Sequence, residues 1–144
     1  MTLELVTLSG AKLSAEVYEV ILPTAEGPIA VYQQHMPLVT NVVPGVVTVR
    51  RNKGDSDEHL EVFASNGGVA EITGKAIRIL VDEADSADEI VEDEARAALE
   101  RAQKLRDEAK SSVDLAKAQA MIDRQAVRLR VAEIHKHRAG RRRV

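Results

Sequence analysis

The sequence predicts an α+β chain in two parts, an all-β domain over residues 1–85 followed by an α-helical hairpin over residues 86–138. Three observations carry this. Residues 1–85 hold short runs of Val, Ile, Thr and Leu set between glycines and prolines, the pattern of regularly spaced strands in a sandwich or barrel. Residues 86–138 contain neither Gly nor Pro, are dense in Ala, Glu, Lys and Arg, and return apolar residues at helical spacing. Between the two, Ser86-Ala87-Asp88-Glu89 is a Ser-x-x-Glu capping box, which satisfies free amide hydrogens where a helix begins.

In the first part, strand-like runs fall at residues 3–8, 15–22, 46–50, 60–64, 69–73 and 76–81. Asn66-Gly67-Gly68 supplies residues tolerant of positive φ between two of them, and Asn52-Lys53-Gly54-Asp55 supplies a longer turn. Alternation places Leu60, Val62 and Ala64 on one sheet face, and Ile77, Ile79 and Val81 on another. The segment from Pro23 to Gly45 carries all of Pro23, Pro28, Pro37 and Pro44, so it reads as defined turns, and Met36, Leu38 and Val39 within it mark a contact surface.

In the second part, a helix is expected to start near Ala87. Asp88, Glu89, Glu92, Asp93 and Glu94 crowd its first turns, where the helix dipole favours anions. Val91, Ala95, Ala98, Ala102, Leu105 and Ala109 alternate steps of four and three, which makes one narrow apolar seam. The phase breaks around Lys110-Ser111-Ser112, where Ser111 can cap a second helix with Asp114 three residues on. Leu115, Ala118, Ile122, Ala126 and Leu129 form one stripe of that helix, with Val127, Val131 and Ile134 beside it. A seam made mostly of alanine brings axes close but buries little area, so the hairpin is held weakly by its own contacts. Residues alone leave open whether it packs on the β-domain, on a partner, or opens.

Composition excludes several classes. There is no Cys, which removes disulfides, thiolate metal sites and cysteine nucleophiles. Without a long apolar run or a secretion signal, a soluble intracellular chain is expected, from a bacterial cytoplasm or a plastid genome. His135-x-His137 points its two rings about 200° apart on a helix and cannot chelate one metal. With no phosphate loop or nucleophile motif either, no catalysis, metal or cofactor is expected. Charge is polarised: residues 1–85 carry 6 basic and 12 acidic side chains, whereas from Arg124 onward 8 basic residues face Glu133 alone. The end of the second helix is therefore cationic, and residues 139–144 read as a disordered basic tail.

The ordered series Glu26-Gly27, His35-x-Pro37-Leu38, Pro44-Gly45, Ser65-Asn66-Gly67-Gly68 with Glu71, Ile79-Leu80-Val81, Glu92-Asp93-Glu94-Ala95-Arg96-Ala97 and Leu129-Arg130-Val131-Ala132-Glu133 resembles the epsilon subunit of F-type ATP synthases nearly end to end. The resemblance implies a ten-stranded antiparallel β-sandwich plus hairpin in the central stalk of a rotary motor, peripheral on the cytoplasmic face of a bacterial plasma membrane or on a plastid thylakoid. It implies that the sandwich docks on the gamma subunit and the membrane ring of c subunits, coupling ion-driven rotation to ATP synthesis. It further implies that the hairpin can reach the alpha and beta subunits and brake ATP hydrolysis.

Carried onto this chain, the resemblance makes Glu26, Gly27, Pro28, His35, Pro37 and Leu38 the contacts to the gamma subunit and the ring. His35 otherwise serves as a turn residue bonding a nearby carbonyl. Ala30-Val31-Tyr32-Gln33-Gln34-His35 departs from the family's usual Gly-Ile-Leu-Pro-Gly-His, and Pro28 stands where a polar residue is common. Arg124, Arg128, Arg130, Lys136 and Arg138 become the inhibitory contacts to the catalytic head, or else a solvated face. Asp93 and Arg96 match the polar part of a nucleotide signature. Glu92, where an apolar residue is expected, favours instead an i, i+3 ion pair, so regulatory ATP is not favoured. Two other readings stand beside the family's: a nucleic-acid binder using the basic end, which the scarcity of aromatics disfavours, and a structural adaptor whose hairpin never moves.

Overall fold

The computed structural model describes residues 1–143. Ten strands pack as two five-stranded sheets, ordered β2-β1-β9-β8-β5 and β10-β7-β6-β3-β4. In chain order they are β1 (Thr2–Thr7), β2 (Gly10–Glu16), β3 (Glu19–Thr24), β4 (Gly27–Tyr32), β5 (Leu38–Val42), β6 (Gly45–Arg50), β7 (Glu61–Ser65), β8 (Gly68–Ile72), β9 (Ala76–Val81) and β10 (Ala84–Ser86). Neighbours pair antiparallel except β1 and β9, which run parallel with Leu3 beside Ile77 and Leu5 beside Ile79. Alternation sends Leu3, Leu5, Val20, Leu22, Val31, Val47, Val49, Ile72, Ile77 and Ile79 into the core between the sheets. Phe63 is its one aromatic. The turn before β8 demands glycine: Gly67 has φ +101°, and a Cβ on Gly68 would sit 2.0 Å from the Leu80 carbonyl oxygen.

The 23–45 segment is more regular than its prolines imply. It contains β4 and β5, and Pro28 is accommodated because β4 is an edge strand. The predicted run 15–22 divides at Val17-Tyr18, which lie between β2 and β3.

The capping box forms as expected, with Glu89 accepting from the Ser86 amide at 2.8 Å, but it caps a 3-10 turn at Ala87–Glu89. The first helix, α1 (Glu92–Asp107), starts five residues later than the sequence predicts, because Ile90 and Val91 are extended. Ser111 caps α2 (Ser112–Arg142) by accepting from the Asp114 amide at 3.1 Å. The basic tail is a correction: residues 139–142 continue α2 as helix, because the anchoring of the last turn on the sandwich through Arg142 outweighs the poor helix propensity of Gly140. Val144 lies outside the described residues.

Ala95, Ala102, Ala118 and Ala132 are buried along the hairpin. The seam differs from the sequence reading: Leu115 and Ala126 of the α2 stripe are exposed, as are Val91 and Leu105 of the α1 stripe, whereas Gln125 is half-buried and completes the 118, 122, 125, 129, 132 spacing. Val127, Val131 and Ile134 project from a different face of α2. They meet Val46, Val62 and Ala64 on the outer face of the second sheet, with Ala87 and Ile90 beside them. This explains why β7 is buried on both sides, with Phe63 facing the sandwich core and Val62 and Ala64 facing α2.

Candidate functional site

The contact between α2 and the sandwich is small, and charged at both ends. At one end, Arg128 Nη1 donates to Asp85 Oδ2 at 2.8 Å, and both side chains are mostly covered. Beside it, Arg124 Nε lies 2.7 Å from Glu83 Oε2, but that oxygen accepts no aligned hydrogen bond, and the buried Arg128 Nε donates none. At the other end Arg138 Nη1 donates to the Leu60 carbonyl at 2.9 Å, and Arg142 donates to the Glu58 carbonyl. Burial lowers the affinity of the Arg138 guanidinium for its proton; nearby Asp57 opposes this, while Arg142 and Arg50 add to it. Only Val131 of the apolar residues between these ends is fully buried on the α2 side. The arrangement is a clasp that closes with good but incomplete satisfaction of its polar groups, the kind of contact a modest competing interaction can undo.

Within the hairpin, Lys136 reaches Glu92 at 2.5 Å, and Arg96 reaches the same carboxylate at 2.9 Å. Hydrogen bonds from Lys136 and then Arg96 hold the Glu92 carboxyl below its ordinary range. The pairing expected of Asp93 with Arg96 does not form. Arg96 turns one residue back to Glu92, where i, i+4 geometry and a second cation favour it, and Asp93 is exposed. Asp93 and Arg96 of the nucleotide signature stand one helical turn apart in the first turns of α1 without pairing with each other among the described residues. Of the five basic residues nominated for partner contacts, Arg124, Arg128, Lys136 and Arg138 are turned onto this chain's own groups. Arg130 is exposed and makes no ion pair among the described residues.

The docking residues separate into two places. Glu26, Gly27 and Pro28 form the turn into β4, where Gly27 has φ +114° and Thr24 donates to its carbonyl at 2.5 Å. His35, Pro37 and Leu38 follow the far end of β4, about 17 Å away at 3.3 Å per residue. His35 Nδ1 lies 2.7 Å from the Met36 carbonyl, the local bond its turn position allows, and Gln34 takes φ 68° beside it. Met36, Leu38 and Val39 are exposed, as expected of a contact surface. Sequence reasoning missed a neighbouring patch. Val6, Leu80 and Val69 are registered side by side across β1, β9 and β8 on the outer face of the first sheet, and Leu80 and Val69 are 49% and 40% exposed. The signal was present as an apolar residue at the outward position of each strand, but the outward phase is known only once register is fixed.

Two five-stranded sheets packed as a sandwich, with a C-terminal helical hairpin clasped to the outer face of one, define the class as a β-sandwich subunit with a helical arm. The model for the ATP synthase delta/epsilon chain β-sandwich domain matches residues 1–87. The ATP synthase epsilon chain of Herpetosiphon aurantiacus is 35% identical over 94% of this chain and 96% of its own length. That of Moorella thermoacetica is 36% identical over 92% and 96% respectively. The chain belongs to the ATP synthase epsilon chain family. A chain of the Euglena gracilis mitochondrial ATP synthase, from a cryo-EM structure of its OSCP, F1 and c-ring, shares the fold with a TM-score of 0.76. At 22% identity it covers 91% of this chain and 79% of that one. Among the described residues no helix is long and apolar enough to cross a membrane.

Proposed function

We propose that this chain is a non-catalytic rotor subunit in the central stalk of an F-type ATP synthase, peripheral to the membrane on the cytoplasmic side in a bacterium. The sandwich couples ion-driven rotation to synthesis by gripping its neighbours at two places. The loop at His35, Pro37 and Leu38, with the Val6, Val69 and Leu80 patch, faces the gamma subunit, and the Glu26-Gly27-Pro28 turn faces the ring of c subunits. The hairpin is a brake on ATP hydrolysis. It is inactive when clasped to the sandwich and active when α2 swings to the alpha and beta subunits. Regulatory ATP plays no part in this reading, because Arg96 and Lys136 are both committed to Glu92.

One observation carries the brake: Arg124, Arg128 and Arg138 are turned onto groups of the sandwich, so closing the hairpin engages the cations that an acidic partner would otherwise take. Opening exposes the charges together with Val127, Val131 and Ile134, and supplies an amphipathic basic helix to an acidic surface. The test is ATP hydrolysis by the reconstituted complex with three chains. They are the unaltered one, one ending at Asp85, and one locked shut by a short bismaleimide between Glu83→Cys and Arg124→Cys. The truncated and locked chains are expected to hydrolyse ATP faster than the unaltered one while proton pumping persists. Equal rates in all three would leave the sandwich as the working part and end the brake reading.

A further inference from the structure

On the same outer face that α2 covers, one row of side chains crosses three strands. Tyr32 on β4, Glu19 on β3 and Arg50 on β6 are registered neighbours. Glu19 is only 7% exposed, and its carboxylate accepts from the Tyr32 hydroxyl and from Arg50 Nε, the latter at 2.8 Å. Burial would raise the Glu19 carboxyl, but these two hydrogen bonds overcome it and hold the group ionised below its ordinary range. Arg50 continues the row: its Nη1 donates to the Asp55 carbonyl, and its Nη2 donates to Asp57 Oδ1 at 2.8 Å. Asp57 opens a 3-10 turn, Asp57–His59, whose Glu58 carbonyl, with the Leu60 carbonyl just after it, receives Arg142 and Arg138 of α2. At the opposite end of the row, the Tyr32 carbonyl accepts from the His35 amide at 3.1 Å, which ties it to the exposed 33–37 loop.

The turn is therefore held from two sides. Arg50 fixes it to the sandwich, and α2 fastens on the carbonyls that this leaves facing outward. A buried carboxylate with two charge-assisted partners has few alternative arrangements, so displacement of Tyr32 must be answered by Arg50 and then by the turn. We propose that Tyr32, Glu19 and Arg50 are positioning residues that couple the 33–37 docking loop to the C-terminal end of α2, so that seating a partner on the loop biases the hairpin between closed and open. This coupling rests on the reading of the hairpin as an opening arm.

The chain lacks cysteine, so one introduced thiol reports without interference. Ala64→Cys places it on the outer face of β7, 4% exposed and covered by α2, where labelling requires the hairpin to leave. Val47→Cys places it in the sandwich core, where labelling requires the sandwich to open. In the full chain, Tyr32→Phe is expected to speed labelling at Ala64→Cys roughly threefold to tenfold, a fraction of what a charge-assisted hydrogen bond contributes, with no change at Val47→Cys. Tyr18→Phe, whose ring stacks edge-on with Tyr32 at 5.6 Å, is expected to leave both rates unchanged. Because the two act through one anchor, Tyr32→Phe should add little once Arg138→Met has freed that end. An unchanged rate at Ala64→Cys, an equal acceleration at Val47→Cys, or full additivity with Arg138→Met would each overturn the coupling. A thiol at Ala64→Cys that reacts in the otherwise unaltered chain as fast as one at exposed Ala97→Cys would remove the closed hairpin itself, and the coupling with it. The labelling needs no ATP synthase, so its failure is distinct from failure of the brake.

Discussion

Val131→Ala tests whether packing on β7 is what keeps the hairpin closed. Val131 is 0% exposed and meets Val62 and Ala64 directly. Removing its two methyl groups forfeits about 1.6 kcal/mol at about 0.8 kcal/mol per buried methyl-sized group. A residual cavity of about 20 Å³ adds about 0.5 kcal/mol at about 24 cal/mol per Å³. The sum, about 2 kcal/mol, corresponds to a roughly thirtyfold rise in the open fraction. Thiol labelling at Ala64→Cys, under conditions where closing outpaces reaction, reads that ratio directly. Labelling at Val47→Cys checks that the sandwich stays shut. A change smaller than about threefold at Ala64→Cys, or an equal rise at both positions, would refute the idea that this contact sets the closed state.

Three further outcomes follow from the same geometry. Arg128→Met should raise Ala64→Cys labelling about tenfold and Arg124→Met less than about threefold, because the Arg128–Asp85 pair is mostly covered while Arg124 and Glu83 are each 43% exposed; added salt should accelerate labelling of the unaltered chain and of Arg128→Met, the latter less. The hairpin should loosen in acid. Lys136 holds the Glu92 carboxyl below its ordinary value of 4.5, and Lys12 does the same for Glu89, so their contribution is complete above 4.5 and disappears as pH falls through the lower folded values, which hydrogen exchange of α1 amides can follow. Gly68→Ala should cost the sandwich at least about 3 kcal/mol, seen as a large fall in thermal midpoint, since its Cβ has no room against the Leu80 carbonyl.

Much of this architecture is readable from residue order, and the parts that are not share one cause. Alternation in residues 76–81 fixes which side of β9 is buried, and a Gly-free, Pro-free stretch fixes the hairpin, because both signals are local. What needs two distant segments is hidden. Glu19, Arg50 and Asp57 look like unrelated surface charges until β3 and β6 are registered. Arg124 and Arg128 read as a free cationic face because nothing local says that Glu83 and Asp85 lie beneath them. The helix start moved for a related reason: Ile90 packs against the cluster around Val131, and a tertiary contact outweighs a good local cap.

The alanine seam constrains how the arm can work. Ala95, Ala102, Ala118 and Ala132 let the helices approach closely but bury little, and Gln125 dilutes the seam further. Beyond Arg124 toward the tip, α2 and α1 pack on each other, and Leu105, Val113, Leu115 and Met121 remain exposed. A hairpin so weakly self-supported needs a second surface for the Val127, Val131 and Ile134 face. In the closed form that surface is β7 and β6, and in the proposed open form it is the catalytic head. Because one face serves both, the two states exclude each other. A residue that strengthens the sandwich contact without touching the partner shifts the balance by its full closed-state contribution.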